Sequence, residues 1–311
     1  MAYARAVPWH GLGRKVDGLQ TAAEMLEAAG LDWEVVKTPL LTRLPNHAIV
    51  DVPRSFAIVR TSDWSPLGVV GASYVPVQNR EAFDWTDALV DSGEAKYETA
   101  GSLFGGRRVW ASMEIPEGVE IEGDKTRLFI LVVNSHDGSL PVTALLTPVR
   151  VVCNNTLNLA LSGARRSFRI RHIGEINGKI AAAREALGIT FSYRARFEAE
   201  AKLLAAKKVS LSQVEKVLKE TFPLPPTVAA DPEKAAAATW AQVMELYRTS
   251  PTVEQFYGSA WGVLQAVSEY LDHVVEYRGR RWGSADVRMD SILWGPSAEK
   301  LAKAHALVRA V

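Results

Sequence analysis

The residues with the most chemistry to offer are basic and aromatic rather than nucleophilic or metal-ligating. The stretch Arg165-Arg166-Ser167-Phe168-Arg169-Ile170-Arg171-His172 alternates cations with apolar side chains over the length of a short strand. Successive side chains of a strand point to opposite faces, so Arg165, Ser167, Arg169 and Arg171 fall on one face and Arg166, Phe168, Ile170 and His172 on the other. A row of guanidiniums suits the phosphates of an extended single strand, and nearby rings add base stacking worth about 1–3 kcal/mol per base. Cations and a ring meet again at Phe104-Gly105-Gly106-Arg107-Arg108, where the glycine pair suits the positive φ angles of a tight hairpin turn. Phe104 and Phe168 are therefore the stacking candidates. Arg107, Arg108, Arg150, Arg165, Arg166, Arg169, Arg171 and Lys179 are the candidate contacts to a nucleic-acid backbone. The plainer alternative is a solvated cationic face that pairs with acidic side chains.

Signatures of catalysis are missing: there is no Walker-type phosphate loop, no paired-histidine protease helix and no Gly-x-Ser-x-Gly elbow. The histidines, at 10, 47, 136, 172, 273 and 305, are scattered, and structural zinc needs about four clustered Cys or His ligands. Cys153 becomes a nucleophile only with a base such as His136 or His172 in reach, and its place after the apolar run 149–152 suits a small buried side chain. An enzyme acting on nucleic acid would draw on His136, Asp137 and Cys153. Gly11-Leu12-Gly13-Arg14-Lys15 is half of a phosphate nest, without the preceding strand and third glycine of a dinucleotide-binding turn. Asn154-Asn155-Thr156 fits a helix cap better than a glycan site. The expectation is a protein with no catalytic residues, no cofactor and no metal.

The chain has 311 residues, 48% of them hydrophobic, a net charge of +1 and a single cysteine, a composition that excludes disorder, collagen and a disulfide scaffold. A lone cysteine fits a reducing compartment, and the cytoplasm is the expected address. No apolar run approaches the roughly 18 residues of a membrane span, and residues 1–13 lack the apolar core of an export signal. The near-neutral total hides segregation: residues 1–149 carry −6, residues 150–208 carry +8 and residues 209–311 carry −1. A local excess of that size can neutralise phosphates, because binding responds to potential within a Debye length of about 8–10 Å.

These residues need elements to position them. Thr21 and Glu24 form a capping box for a helix over 21–29 that ends at Gly30. Apolar runs at 34–44, 55–61 and 67–74 are bounded by turn residues and predict strands. A helix capped by Asn79 follows, to about 91. Two hairpins come next: 95–103 with 107–115 around the glycine pair, and 126–134 with 141–152 around Asp137-Gly138. Helical periodicity covers 154–161 and then 173–208, 210–221, 233–248 and 253–277. Strands joined by tight turns must be antiparallel, so the fold class is α+β: a hairpin-rich antiparallel sheet packed with helices, then a mostly helical C-terminal region. Pro223, Pro225, Pro226 and Pro232 mark a linker at 223–232 between a 1–222 core domain and a 233–311 helical region.

Five ordered motifs carry a resemblance: Pro8-Trp9-His10-Gly11-Leu12-Gly13, Tyr74-Val75-Pro76-Val77-Gln78-Asn79-Arg80-Glu81, Gly105-Gly106-Arg107-Arg108-Val109-Trp110, Asn134-Ser135-His136-Asp137-Gly138-Ser139 and the run 147–158. Together they resemble the phage/plasmid-like protein family, whose members share a domain of unknown function; the resemblance runs from about residue 8 to about 190. It implies a phage, prophage or plasmid origin. The order of elements is similar to the core of phage single-strand annealing proteins of the Erf, Red-beta and RecT type. That likeness implies single-stranded DNA as partner, annealing in recombination as the role, a homo-oligomeric ring or filament, and no membrane. The second expectation, from a different class, is a structural or regulatory protein-interaction protein of the same element.

Overall fold

The computed structural model describes residues 11–150, 167–170, 172, 190–224, 231–279 and 281–311. Its strands are β1 (Arg14–Lys15), β2 (Val35–Arg43), β3 (Ile49–Arg60), β4 (Pro66–Gly71), β5 (Lys96–Leu103), β6 (Arg108–Ile121), β7 (Asp124–Ser135), β8 (Val142–Arg150) and β9 (Ser167–Ile170). The helices are α1 (Ala22–Ala29), α2 (Asn79–Phe83), α3 (Asp87–Asp91), α4 (Thr190–Ala206), α5 (Leu211–Thr221), α6 (Pro232–Thr249), α7 (Ala260–Glu269), α8 (Ser284–Leu293) and α9 (Pro296–Ala310). The fold is α+β as expected: an antiparallel sheet in the order β1-β5-β6-β7-β8-β9, a smaller antiparallel sheet β2-β3-β4, and a helical C-terminal region.

Local chemistry accounts for most element ends. Thr21 accepts from Glu24 N, Glu24 accepts from Thr21 N, and Gly30 closes α1 at φ 70°. Around α2 the expected cap shifts by one residue. Gln78 is the N-cap and its N–H donates to Glu81, because the Asn79 amide is buried and bonded elsewhere. The expected helix to residue 91 is broken by a 3-10 turn at Asp84–Thr86. The expected helix over 253–277 is broken too: Gly258 sits at φ 80°, Ser259 caps α7, and a π-helical turn follows at Tyr270–Val274.

Both hairpins form with the glycine pair and Asp137-Gly138 in their turns. Strand β6 runs past Ile115 through an irregularity and turns into β7 at Glu122-Gly123, both with positive φ. The unexpected strand β1 pairs with β5, and this pairing explains Gly13: a Cβ there would stand 2.5 Å from Ala100 O and 2.8 Å from the Trp110 ring. The predicted helix 154–161 and the first part of 173–208 lie outside the described residues.

One sheet face carries Ala111, Met113, Ile130, Val132 and Ala144 into a cluster with Met25, Phe83, Phe197 and Trp261. Side chains from both sides of the proline-rich stretch, such as Leu218 and Leu301, meet in that cluster. The other face packs Trp110, Phe129, Leu131, Val133 and Leu145 against Met289 and Leu293 of α8. Burying a side chain of this size stabilises the fold by about 1.5–3 kcal/mol. α8 is therefore held over the face from which the glycine-pair turn projects.

Candidate nucleic-acid interface

The turn between β5 and β6 holds three consecutive residues at positive φ: Phe104 at 56°, Gly105 at 68° and Gly106 at 98°. Gly106 has little alternative, since L side chains rarely adopt a φ of 98°, and a Cβ there would also crowd Arg60 Nη1 at 2.8 Å and the Trp33 ring at 3.4 Å. Phe104 carries a backbone strain of about 1–3 kcal/mol, and its neighbours hold it in place. The Phe104 N–H donates to Asp286 Oδ2 at 2.8 Å, and the ring meets Trp282 edge-on with centroids 5.6 Å apart.

Guanidiniums and rings interleave around this turn. Arg107 lies over Trp282 at 5.0 Å, Arg108 lies 5.2 Å from Phe104 and 5.9 Å from Trp294, and Arg60 lies over Trp33 at 5.2 Å. Each contact is a cation–π geometry, worth about 0.5–1 kcal/mol where exposed. Arg108 is also ion-paired with Asp290 and donates to Ser139 Oγ at 3.1 Å. Arg60 forms a two-pronged pair with Asp63 at 2.8 and 2.6 Å and reaches Gly105 O at 3.4 Å. Arg107 has no acidic partner among the described residues. It is the cation of this group left to meet an external anion.

Behind the turn sit two buried histidines. Arg107 O accepts from the His136 N–H at 2.7 Å, and the His136 ring is 5.2 Å from Trp33. Asn79 Nδ2 donates to Leu31 O, so its Oδ1 faces His136 Nε2 at 2.8 Å as acceptor and that nitrogen carries the proton. His172 stacks on Tyr74 at 4.8 Å, and the Tyr74 hydroxyl donates to Ser135 O at 2.7 Å. Burial pushes His136 down to about 3, with the neighbouring His172 acting in the same direction and Asp137 opposing. Burial also lowers His172, against the hydrogen bond at Val75. Both rings are neutral at pH 7. Asp137 accepts from Ser135 Oγ at 3.0 Å and Ser139 N at 2.9 Å, which shapes the β7–β8 turn. No group of three His, Cys, Asp or Glu that could hold a metal ion occurs among the described residues. The His136 N–H thus ties the β7–β8 turn to the glycine-pair turn and its ring ties it to Asn79, Asp137 bonds within its own turn, and Cys153 lies outside the described residues.

The structure gathers Phe104, Arg107 and Arg108 as the hairpin implied. Arg169 is exposed on the edge strand β9, opposite Thr143. Thr143 stands opposite Val133, which stands opposite Trp110, so Arg169 shares the sheet face covered by α8. Phe168 occupies β9 opposite Ala144, and Arg150 ends β8 opposite Thr126. Arg165, Arg166, Arg171 and Lys179 lie outside the described residues. Sequence reasoning missed Trp33, Arg60, Trp282 and Trp294, whose rings and charges reach the turn from distant segments. The pair Arg281-Trp282 was the available signal, a cation and a ring in a glycine-flanked stretch.

The family profile described as "Domain of unknown function (DUF932)" matches residues 66–294, and the chain belongs to that family. No curated protein and no solved structure matches the chain.

Proposed function

We propose that this member of the DUF932 family binds single-stranded nucleic acid and anneals complementary strands, with single-stranded DNA of a phage, prophage or plasmid as its substrate. The observation that supports it most is the interleaved set of arginines and rings at the glycine-pair turn, with Arg107 left without an acidic partner among the described residues. Annealing needs cations that hold a strand extended and rings that stack some of its bases, and no bond need be broken. Arg169, on the face that α8 covers, extends the cationic track. The proposal includes assembly into a homo-oligomer in the cytoplasm of a bacterial host, and no cofactor. Arg107→Ala combined with Arg169→Ala tests it. Affinity for a fluorescent single strand should fall about ten-fold, and the salt slope should shrink by about 0.7 for each phosphate that is no longer neutralised. An unchanged slope contradicts the assignment.

One observation favours the protein-interaction reading. The tip of the β2–β3 ribbon exposes Leu41, Leu44, Ile49 and Val50, an apolar cluster on a projecting two-stranded arm. If that arm holds a partner, Leu44→Asp with Ile49→Asp changes the assembly state seen by light scattering and leaves strand binding intact.

A further inference from the structure

Trp64 is the most exposed large apolar residue of the described chain, at 71%, and its backbone sits at φ 59° in the β3–β4 turn. A bulky residue in the left-handed region is a true outlier, and here the turn is built around it. Asp63 accepts from Ser65 N at 3.1 Å and Ser65 Oγ at 2.8 Å, while Arg60 grips the same carboxylate with two nitrogens. That grip holds the Asp63 carboxyl well below the usual carboxylate range, so the pair keeps its charges at neutral pH. Arg60 also lies over Trp33 and reaches Gly105 O, which ties this turn to the glycine-pair turn carrying Arg107. Among the described residues the Trp64 ring makes no hydrogen bond, ring contact or cation–π contact. A rigid turn holds it out, and nothing in the described fold uses it.

We propose that Trp64 is a base-stacking residue of the nucleic-acid interface, taking a nucleobase of a single strand on its open ring beside the Arg60–Trp33 pair. The inference rests on the reading of the protein as a single-strand binder. The occupant follows from charge: Arg60 neutralises Asp63 within its turn, so no net negative charge stands beside the ring, and the same Arg60 links this turn to the glycine-pair turn, whose Arg107 is the cation open to a phosphate of the stacked strand. A flat, sequence-tolerant ring beside guanidiniums is the usual stacking platform for single strands.

The test compares wild-type protein, Trp64→Ala and Trp64→Phe on an oligothymidylate of about 15 nucleotides and on an abasic strand of equal length and charge. Trp64→Ala should bind the thymidylate about ten-fold more weakly, within the roughly 5- to 150-fold span of one stacked base, and Trp64→Phe should recover most of the loss. On the abasic strand the three proteins should bind alike, and the salt slope of Trp64→Ala should match wild type, because stacking neutralises no phosphate. Crosslinking of an iodouracil-containing strand to the wild-type peptide bearing Trp64 reports the same contact without a substitution. Equal binding of the thymidylate by Trp64→Ala and wild type, or an equal loss on the abasic strand, overturns the proposal and leaves the single-strand reading standing. Failure of the wild-type protein to bind either strand overturns both.

Discussion

A proton added to His136 must enter a site bounded by Trp33, Asn79 and the neighbouring His172, with no water-facing edge. The folded protein resists that proton until the pH falls to about 3, whereas the unfolded chain accepts it near the ordinary value of 6.5. The folded value lies below the unfolded one, so this contribution to stability is complete above about pH 6.5 and is lost as the pH falls from there to about 3. The slope is about 1.4 kcal/mol per pH unit for one histidine, and buried His172 acts in the same direction. Denaturant midpoints measured between about pH 7 and pH 4 should fall steadily, and His136→Gln should start lower and flatten the slope. A wild-type midpoint independent of pH over that range contradicts the account of the histidine. Arg107 and Arg108 are adjacent and should behave differently. Arg108→Ala leaves the Asp290 carboxylate without its cation, with the Trp294 indole N–H still donating to it, and removes a ring contact, and should cost about 2 kcal/mol of stability, read as a melting temperature lower by several degrees. Arg107→Ala, over the half-buried Trp282 ring and without an acidic partner among the described residues, should leave the melting temperature within about a degree and act mainly on strand binding.

At the scale of elements, α8 organises the site. It brings Asp286 and Asp290 to the glycine-pair turn, and it is anchored by Met289 and Leu293 on the sheet. Leu293→Ala should destabilise the protein by about 2–5 kcal/mol and also weaken strand binding, since Trp282 and Trp294 flank the same helix. Arg281→Ala on the exposed stretch beside it should change stability by less than about 0.5 kcal/mol, and chemical denaturation separates the two cases. Much of this frame was legible in the sequence. The capping box at Thr21, the glycine pair and Asp137-Gly138 are local signals, and each produced its element. The misses have physical causes. Asn79 has the residue type of a cap but is drawn into the core by Leu31 O and His136, and the helix expected to span Gly258 is cut where that glycine turns left-handed. The partners of the turn, Trp33 and Trp282, could not be assigned because tertiary packing sets them against Arg60 and Arg107 from far along the chain.

For the molecule as a whole, charge and architecture bear on one account. The +8 of residues 150–208 is joined through β9 to a sheet whose earlier strands belong to a segment of net −6. Such a division can hold a strand near the basic segment while the rest of the molecule repels it. No helix among the described residues is long and apolar enough to cross a membrane. The central claim is that the protein holds single strands through several phosphates and presents their bases to a complement. Its most direct measurement is binding and annealing of complementary fluorescent oligonucleotides by the wild-type protein at about 50 and 200 mM salt. The account predicts binding that weakens by about 10²-fold or more across that range, together with annealing faster than in buffer alone at the lower salt. No binding at the lower salt, or binding that leaves the annealing rate at its spontaneous value, contradicts it.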